Sequence, residues 1–155
     1  MMIKFFILLF LSISLYGSEL LGRVDKFDLP DLKLKNIKAK IDTGAKTSSL
    51  HCVSIKPLKN GYVKFILLDE ESKKFTGKYI EKKIYRIGYV KSSNGTEQKR
   101  YFIKTPIRLY NKIYTMEVSL NFRGNMNYPL LIGRELLQQG FIVDVTQKNL
   151  SFLSK

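Results

Sequence analysis

Short runs in which apolar and polar residues alternate fill most of this chain, and a period of two is typical of β-strands with one buried face. The clearest run is residues 37–41, which ends directly at Asp42. A further strand-like run covers residues 27–34 and is broken by Pro30. Other such runs cover residues 62–68, 79–90, 100–109, 112–120, 129–132, 141–144 and 150–153. The pattern predicts a chain built almost wholly of strands.

Turn residues separate these runs and predict how some of them pair. Asn94-Gly95 lies between two alternating runs and is a strong hairpin signal, so we expect a long hairpin over residues 84–101 and beyond, with its tip there. Only residues 134–139 have the composition of a helix, and Gly140 follows as a natural C-cap. The reading from the residues alone is an all-β barrel or sandwich with one short C-terminal helix.

The N-terminus has the three parts of a secretory signal: one Lys, an apolar run over residues 5–15, and small residues after it. The run is shorter than the roughly 20 residues that a membrane-spanning helix needs. We therefore expect a signal peptide at 1–18, a single domain at 19–155, and a periplasmic or secreted protein. An uncleaved signal that anchors the same domain to the membrane is the alternative.

Composition limits the remaining chemistry. The 155 residues contain one Cys and one His, too few for a disulfide framework or a structural zinc site, and a chain of this size needs neither to fold. His51 and Cys52 are adjacent, so on a strand they point to opposite faces. We expect His51 to be a surface or half-buried residue and Cys52 a small buried hydrophobe, and we expect no metal and no cofactor.

The charge is strongly positive but dispersed along the sequence. Lys and Arg number 27 against 13 Asp and Glu, giving +14, and 21 of the 27 are Lys, spread singly. Phosphate recognition favours Arg over Lys, and the aromatic residues recur at the spacing of a strand core. We therefore expect no nucleic-acid partner.

Two short motifs carry the candidate chemistry. In the first, Asp42-Thr43-Gly44-Ala45 follows an apolar strand. A carboxylate there needs hydrogen-bond donors, which the Thr43 hydroxyl and the amides of Gly44 and Ala45 can supply. In the second, residues 130–137, an apolar strand runs through Gly133 into the predicted helix, and a glycine there lets another backbone approach, which we expect to be the Asp42 turn. Taken alone, the first motif is also that of an ordinary Asx turn.

Together the motifs, with Gly133 following Asp42 by 91 positions, resemble the signature pair of the aspartic peptidases, specifically the retropepsin-like group. The resemblance covers roughly residues 20–150. Segments 39–50 and 123–134 look like a bacterial branch whose members have also been labelled ATP-dependent zinc proteases. No His-Glu-x-x-His and no Gly-rich loop ending in Lys-Ser/Thr is present, so the residues support neither part of that label. The resemblance implies a closed barrel with a flap hairpin.

The resemblance also implies an endopeptidase mechanism and assigns its residues. Two carboxylates about 3 Å apart share one proton and activate a water. The other aspartates lie in no second Asp-Thr-Gly, so Asp42 must meet its equivalent in a homodimer, and a monomer should be inactive. The catalytic residues are then Asp42, Thr43 and Gly44. The residues expected to bind the peptide substrate are Ala45, Ser93, Asn94, Gly95, Ile132 and Gly133.

Three departures from the viral retropepsins set further expectations. Lys46 stands where those enzymes have an Asp that pairs with the Arg of the second motif, so Arg134 needs another partner, either Glu135 or a carbonyl. The long spacing implies an extra hairpin, placed at residues 53–76. Residues 150–153 could pair as a terminal strand. The competing function is a barrel that binds peptide or an acidic envelope polymer without cleaving it.

Overall fold

The structure is a computed structural model that describes residues 18–68, 70–91, 95–122, 124 and 127–155. The strands are β1 Glu19–Gly22, β2 Val24–Leu29, β3 Leu34–Ile41, β4 Ser48–Pro57, β5 Tyr62–Leu67, β6 Tyr79–Lys83, β7 Arg86–Lys91, β8 Glu97–Leu109, β9 Lys112–Asn121, β10 Leu130–Ile132 and β11 Phe141–Asp144. A 3-10 turn (Pro30–Leu32) and the helices α1 (Arg134–Leu137) and α2 (Leu150–Leu153) complete the described elements.

Six strands close into a barrel. Their order is β10, β3, β2, β8, β9 and β4, and β4 pairs back to β10. The short β10 lies parallel to β3, with Ile132 opposite Ile41, and antiparallel to β4, with Leu130 opposite Leu50. Leu50, Leu130 and Ile132 are fully buried in the core inside this ring. The closed barrel is therefore confirmed, and β10 brings the second motif beside the strand that leads to Asp42.

Two hairpins extend from the barrel. β4 and β5 pair antiparallel and form the extra hairpin, and β6 pairs with β5. β7 pairs with β8 from Arg86–Phe102 to Lys91–Glu97, which confirms the long hairpin over residues 84–101. The predicted strand 79–90 is two strands, because the Ile84 amide donates to Gly61 O while the Tyr85 amide donates to Phe102 O.

The C-terminal residues correct one prediction. Residues 150–153 are the helix α2 and not a strand, because the buried Asp25 carboxylate accepts the amides of Ser151 (2.9 Å) and Phe152 (3.2 Å). Near it, β11 pairs in parallel with β1. The helix predicted at 134–139 is present as the single turn α1, and the chain leaves it through Gly140 at φ 108°.

The predicted signal peptide falls almost wholly on residues 1–17, outside the described part of the chain. Among the residues that are described, no helix combines the length and the apolar character needed to cross a membrane.

Candidate active site

Asp42 sits in a turn that supplies donors to its carboxylate. It directly follows β3, and its own amide donates to Ile132 O at 2.9 Å. Its Oδ1 accepts the amides of Gly44 (3.1 Å) and Ala45 (3.2 Å). Two of the donors expected from the motif are therefore in place. These two amides fix the orientation of the carboxylate.

Gly133 is the point where the two motifs meet. A Cβ on Gly133 would lie 2.6 Å from Thr47 C and 2.9 Å from Lys46 O, so only glycine fits there. The Gly133 amide donates to Ser48 Oγ at 3.0 Å, and the next amide, of Arg134, donates to Ala45 O at 3.0 Å. The segments 42–48 and 132–135 are thus joined backbone to backbone, and the expected close approach is present.

Arg134 holds the turn from the outside. Its Nη1 donates to Thr43 O at 2.9 Å and to Gly44 O at 2.8 Å. Its partner is therefore a pair of carbonyls and not Glu135. Lys46 Nζ lies 4.0 Å from Glu135 Oε1, and this largely exposed pair contributes little. Arg134 thus fixes the Asp42 turn through two hydrogen bonds to backbone carbonyls and not through an ion pair with Glu135.

The Asp42 turn lies at the surface of the chain. Thr43 and Gly44 are exposed, and Asp42 and Ala45 are partly exposed. Two cavities of about 840 and 680 Å³ have none of these residues in their walls. The carboxylate therefore lies on an open face of the chain.

The chain matches a family of known proteins over this same region. The family model described as "RimB-like: Retropepsin-like aspartic endopeptidase RimB" matches residues 20–152. The chain belongs to this RimB-like, retropepsin-like family. It is also similar to a crystal structure of a Legionella pneumophila protein of unknown function, with a TM-score of 0.68 and 31% identity over 86% of this chain and 98% of that one.

Curated relatives carry a different printed name. Proteins of Shewanella pealeana and Shewanella halifaxensis, each named "Probable alpha-L-glutamate ligase", are 34% identical to this chain over 131 residues. A protein of Desulfotalea psychrophila with the same name is 27% identical. The matches cover 83% of this chain and 29% or less of each relative, so the chain spans under a third of their length.

Four residues expected from the sequence to bind substrate in this RimB-like protein lie away from the Asp42 carboxylate contacts or outside the described residues. Ser93 and Asn94 lie outside the described residues, while Gly95 is exposed between β7 and β8, with nothing within 4 Å of where its Cβ would be. The Ile132 side chain is fully buried, so it is the carbonyl of this residue that meets the Asp42 turn. A role for these four residues in substrate binding stays a prediction.

His51 and Cys52 lie on opposite faces of β4, as adjacent strand residues do. His51 is only 6% exposed and its ring packs 5.6 Å from that of Phe122, so the expectation of a surface or half-buried residue was wrong. Cys52 is fully buried, and burial raises the pKa of its thiol well above the ordinary value, which fits an inert hydrophobe. In the described part of the chain, no group of three or more His, Cys, Asp or Glu residues is placed to hold a metal.

Ser48 has a role in the site that the sequence did not reveal. Its buried hydroxyl accepts the Gly133 amide, and its carbonyl accepts the Ser119 hydroxyl at 3.2 Å. The only available signal was its place just after the Asp42 turn, because a partner 85 positions away is not visible in a local pattern.

Proposed function

We propose that this RimB-like protein is an aspartic endopeptidase that works as a homodimer, with the two Asp42 carboxylates forming the dyad. The observation that carries the proposal is the junction of the two motifs. Gly133 packs on the backbone of the turn, while two amides orient one oxygen of Asp42. The turn is also exposed, as a group that must meet its own copy has to be.

In such a dimer the chemistry follows from charge. Two carboxylates at about 3 Å cannot both ionise, so the pair holds one proton. The ionised member takes a proton from water as the oxygen attacks the peptide carbonyl carbon, and the protonated member donates to the carbonyl oxygen. The carbon–nitrogen bond then breaks and the leaving amine takes up a proton. The pair titrates as a unit, so we expect a mildly acidic optimum.

We propose glutamate-rich polypeptides as the substrate class. The chain carries a net charge of +14, which favours an acidic partner. Lys40 and Lys46 flank Asp42 in the sequence, and Arg134 touches the turn. The curated relatives are longer proteins whose printed name concerns glutamate, and the part that this chain matches is the RimB-like part.

The first test is cleavage by the purified protein. A disordered polypeptide with glutamate runs is incubated at mildly acidic pH, and the fragments are identified by mass spectrometry. Asp42→Asn should abolish cleavage and leave the unfolding midpoint unchanged. Asp31→Asn is the matched control, because Asp31 is exposed and lies 3.7 Å from Lys82. Full cleavage by the Asp42→Asn variant would reject the proposal, and binding with no turnover in the unaltered protein would favour the peptide-binding barrel.

A mixing experiment tests the dimer. When unaltered and Asp42→Asn subunits exchange in equal amounts, roughly a quarter of the dimers keep two Asp42 residues. Activity per unaltered subunit should then fall to about half of its starting value. An activity that ignores the added variant, in a protein that sediments as a monomer, would show that one subunit suffices.

The proposed location is the periplasm or the cell exterior, on the strength of the signal-like residues 1–18. N-terminal sequencing of the protein isolated from cell fractions tests it. A first residue near 18 in the periplasmic or external fraction is expected. Intact protein in the cytoplasm would contradict it.

A further inference from the structure

A cavity lined by lysines lies apart from the Asp42 turn. This cavity of about 680 Å³ is lined by residues of β2, β3, β4, α2, the segment after β5 and the segment before β10. The residues of its wall that matter here are Lys26, Lys38, His51, Lys73, Lys74 and Phe152. We call it the lysine cavity. Lys38 precedes Asp42 by four positions along the sequence, which is roughly 13 Å if measured along an extended strand.

The charge of the lysine cavity is unbalanced. Four lysines line it, and Glu71 is the one carboxylate among its lining residues as described. Lys26 and Lys38 stand directly opposite each other in the β2–β3 ladder, and like charges in that position repel. Lys26 Nζ lies over the Phe152 ring at 4.4 Å, which holds one ammonium at the wall. An anionic occupant would relieve the repulsion.

His51 adds a buried polar group to this wall. It is more than nine-tenths buried, and it is the only histidine in the chain. His51 lines the same cavity as the four lysines, so its ring reports on an anion bound there. His51, expected to be a surface or half-buried residue, is therefore buried in the wall of a cavity whose lysines are exposed or partly exposed.

A larger cavity shares one wall residue with the lysine cavity. Lys74 lines both cavities, and the neighbour of about 840 Å³ is also lined by Lys33, Lys35, Lys78 and Lys82. Asp31 and Glu81 are its acidic wall residues, and Asp31 lies 3.7 Å from Lys82. A chain that carries repeated anionic groups can contact more of these lysines than a single small ion can.

We propose that the lysine cavity binds a carboxylate-rich segment of a polypeptide, separately from the Asp42 turn. Each ammonium is a flexible point charge with three donors, so lysines can follow carboxylates on mobile side chains, whereas an arginine fork demands one geometry. A role of the lysine cavity in catalysis rests on the proposed function. In that role the cavity holds the acidic segment about four extended residues from the bond that is cut.

Binding is measured without cleavage in an Asp42→Asn background, with poly-L-glutamate as the probe. The single His51 imidazole gives an unambiguous NMR signal, which should shift on titration. The double variant Lys26→Gln/Lys38→Gln should weaken binding at least tenfold. Lys56→Gln/Lys64→Gln is the matched control: these lysines also oppose each other in a ladder and line neither cavity, so the charge change is the same.

The outcomes separate this inference from the proposed function. An equal loss in both double variants, or a His51 signal that does not move, would overturn it. So would equally tight binding of polyphosphate or single-stranded DNA, because the site would then recognise charge and not a polypeptide. In the active protein, Lys26→Gln/Lys38→Gln should raise KM for glutamate-rich chains and leave kcat unchanged. If poly-L-glutamate binding follows the expected pattern but no cleavage is found, the proposed function is wrong and the binding site at the lysine cavity is supported.

Discussion

The contact at Gly133 gives the sharpest stability prediction. In Gly133→Ala the new methyl would sit 2.6 Å from Thr47 C and 2.8 Å from Thr47 O, both backbone atoms that cannot rotate away. The β10 end and the Asp42 turn must therefore separate. Overpacking of this kind costs about 1–3 kcal/mol, and each of one or two broken cross-links such as the amide to Ser48 Oγ adds roughly 1 kcal/mol. We expect a loss of about 3 kcal/mol of unfolding free energy.

The assay is urea unfolding followed by circular dichroism. For a domain of this size the loss should lower the midpoint by about 1.5 M. Gly44→Ala is the matched control, because Gly44 lies in the same turn and its added methyl would meet only the Asp42 carboxylate, at 3.3 Å. It should cost less than about 1 kcal/mol. A Gly133→Ala midpoint equal to that of the control would refute the view that this close approach fixes the site.

Three further predictions concern single residues. Arg134→Met removes both bonds to the turn carbonyls; since the side chain is exposed, we expect a loss of about 1 kcal/mol in urea and a larger proportional loss of cleavage. Burial raises the pKa of Asp28, but the Asn36 amide and the Lys155 ammonium outweigh it and hold that pKa below its ordinary value. The Asp28 carboxylate therefore contributes to the free energy of unfolding at neutral pH, and this contribution is lost as the pH falls below about 4. Asp28→Asn should flatten acid unfolding curves in that range, and unchanged curves would contradict this. Cys52 should resist a thiol reagent at pH 8 until urea unfolds the protein; rapid labelling of the folded protein would show that the thiol is accessible.

Local sequence predicted the parts of the site that local chemistry determines. The amides on the Asp42 carboxylate belong to Gly44 and Ala45, so the turn could be inferred from four consecutive residues. The closeness of Gly133 could be inferred because few other reasons place a glycine between a buried strand and a helix. The partner of Arg134 was left between two options, since a side chain of that length reaches both a neighbouring carboxylate and the carbonyls of a distant turn.

The errors share a cause, which is contact between distant residues. Residues 150–153 have a strand-like pattern but fold as α2, because Asp25, more than 120 positions away, accepts two of its amides. His51 was expected to be a surface or half-buried residue, and its burial depends on Phe122 and on the segments around the lysine cavity. The strand break at Ile84 and Tyr85 arises because each amide has a different distant acceptor.

The two ends of the described chain contact each other, and this contact bears on the order in which parts of the fold form. Asp25 precedes Ser151 and Phe152, whose amides donate to its carboxylate, by more than 120 positions, so it is synthesised well before them. Until then a carboxylate destined for the interior is left without those donors, and β1 lacks its neighbour β11. The β1–β11 pair and α2 should therefore form only after all six barrel strands have been synthesised.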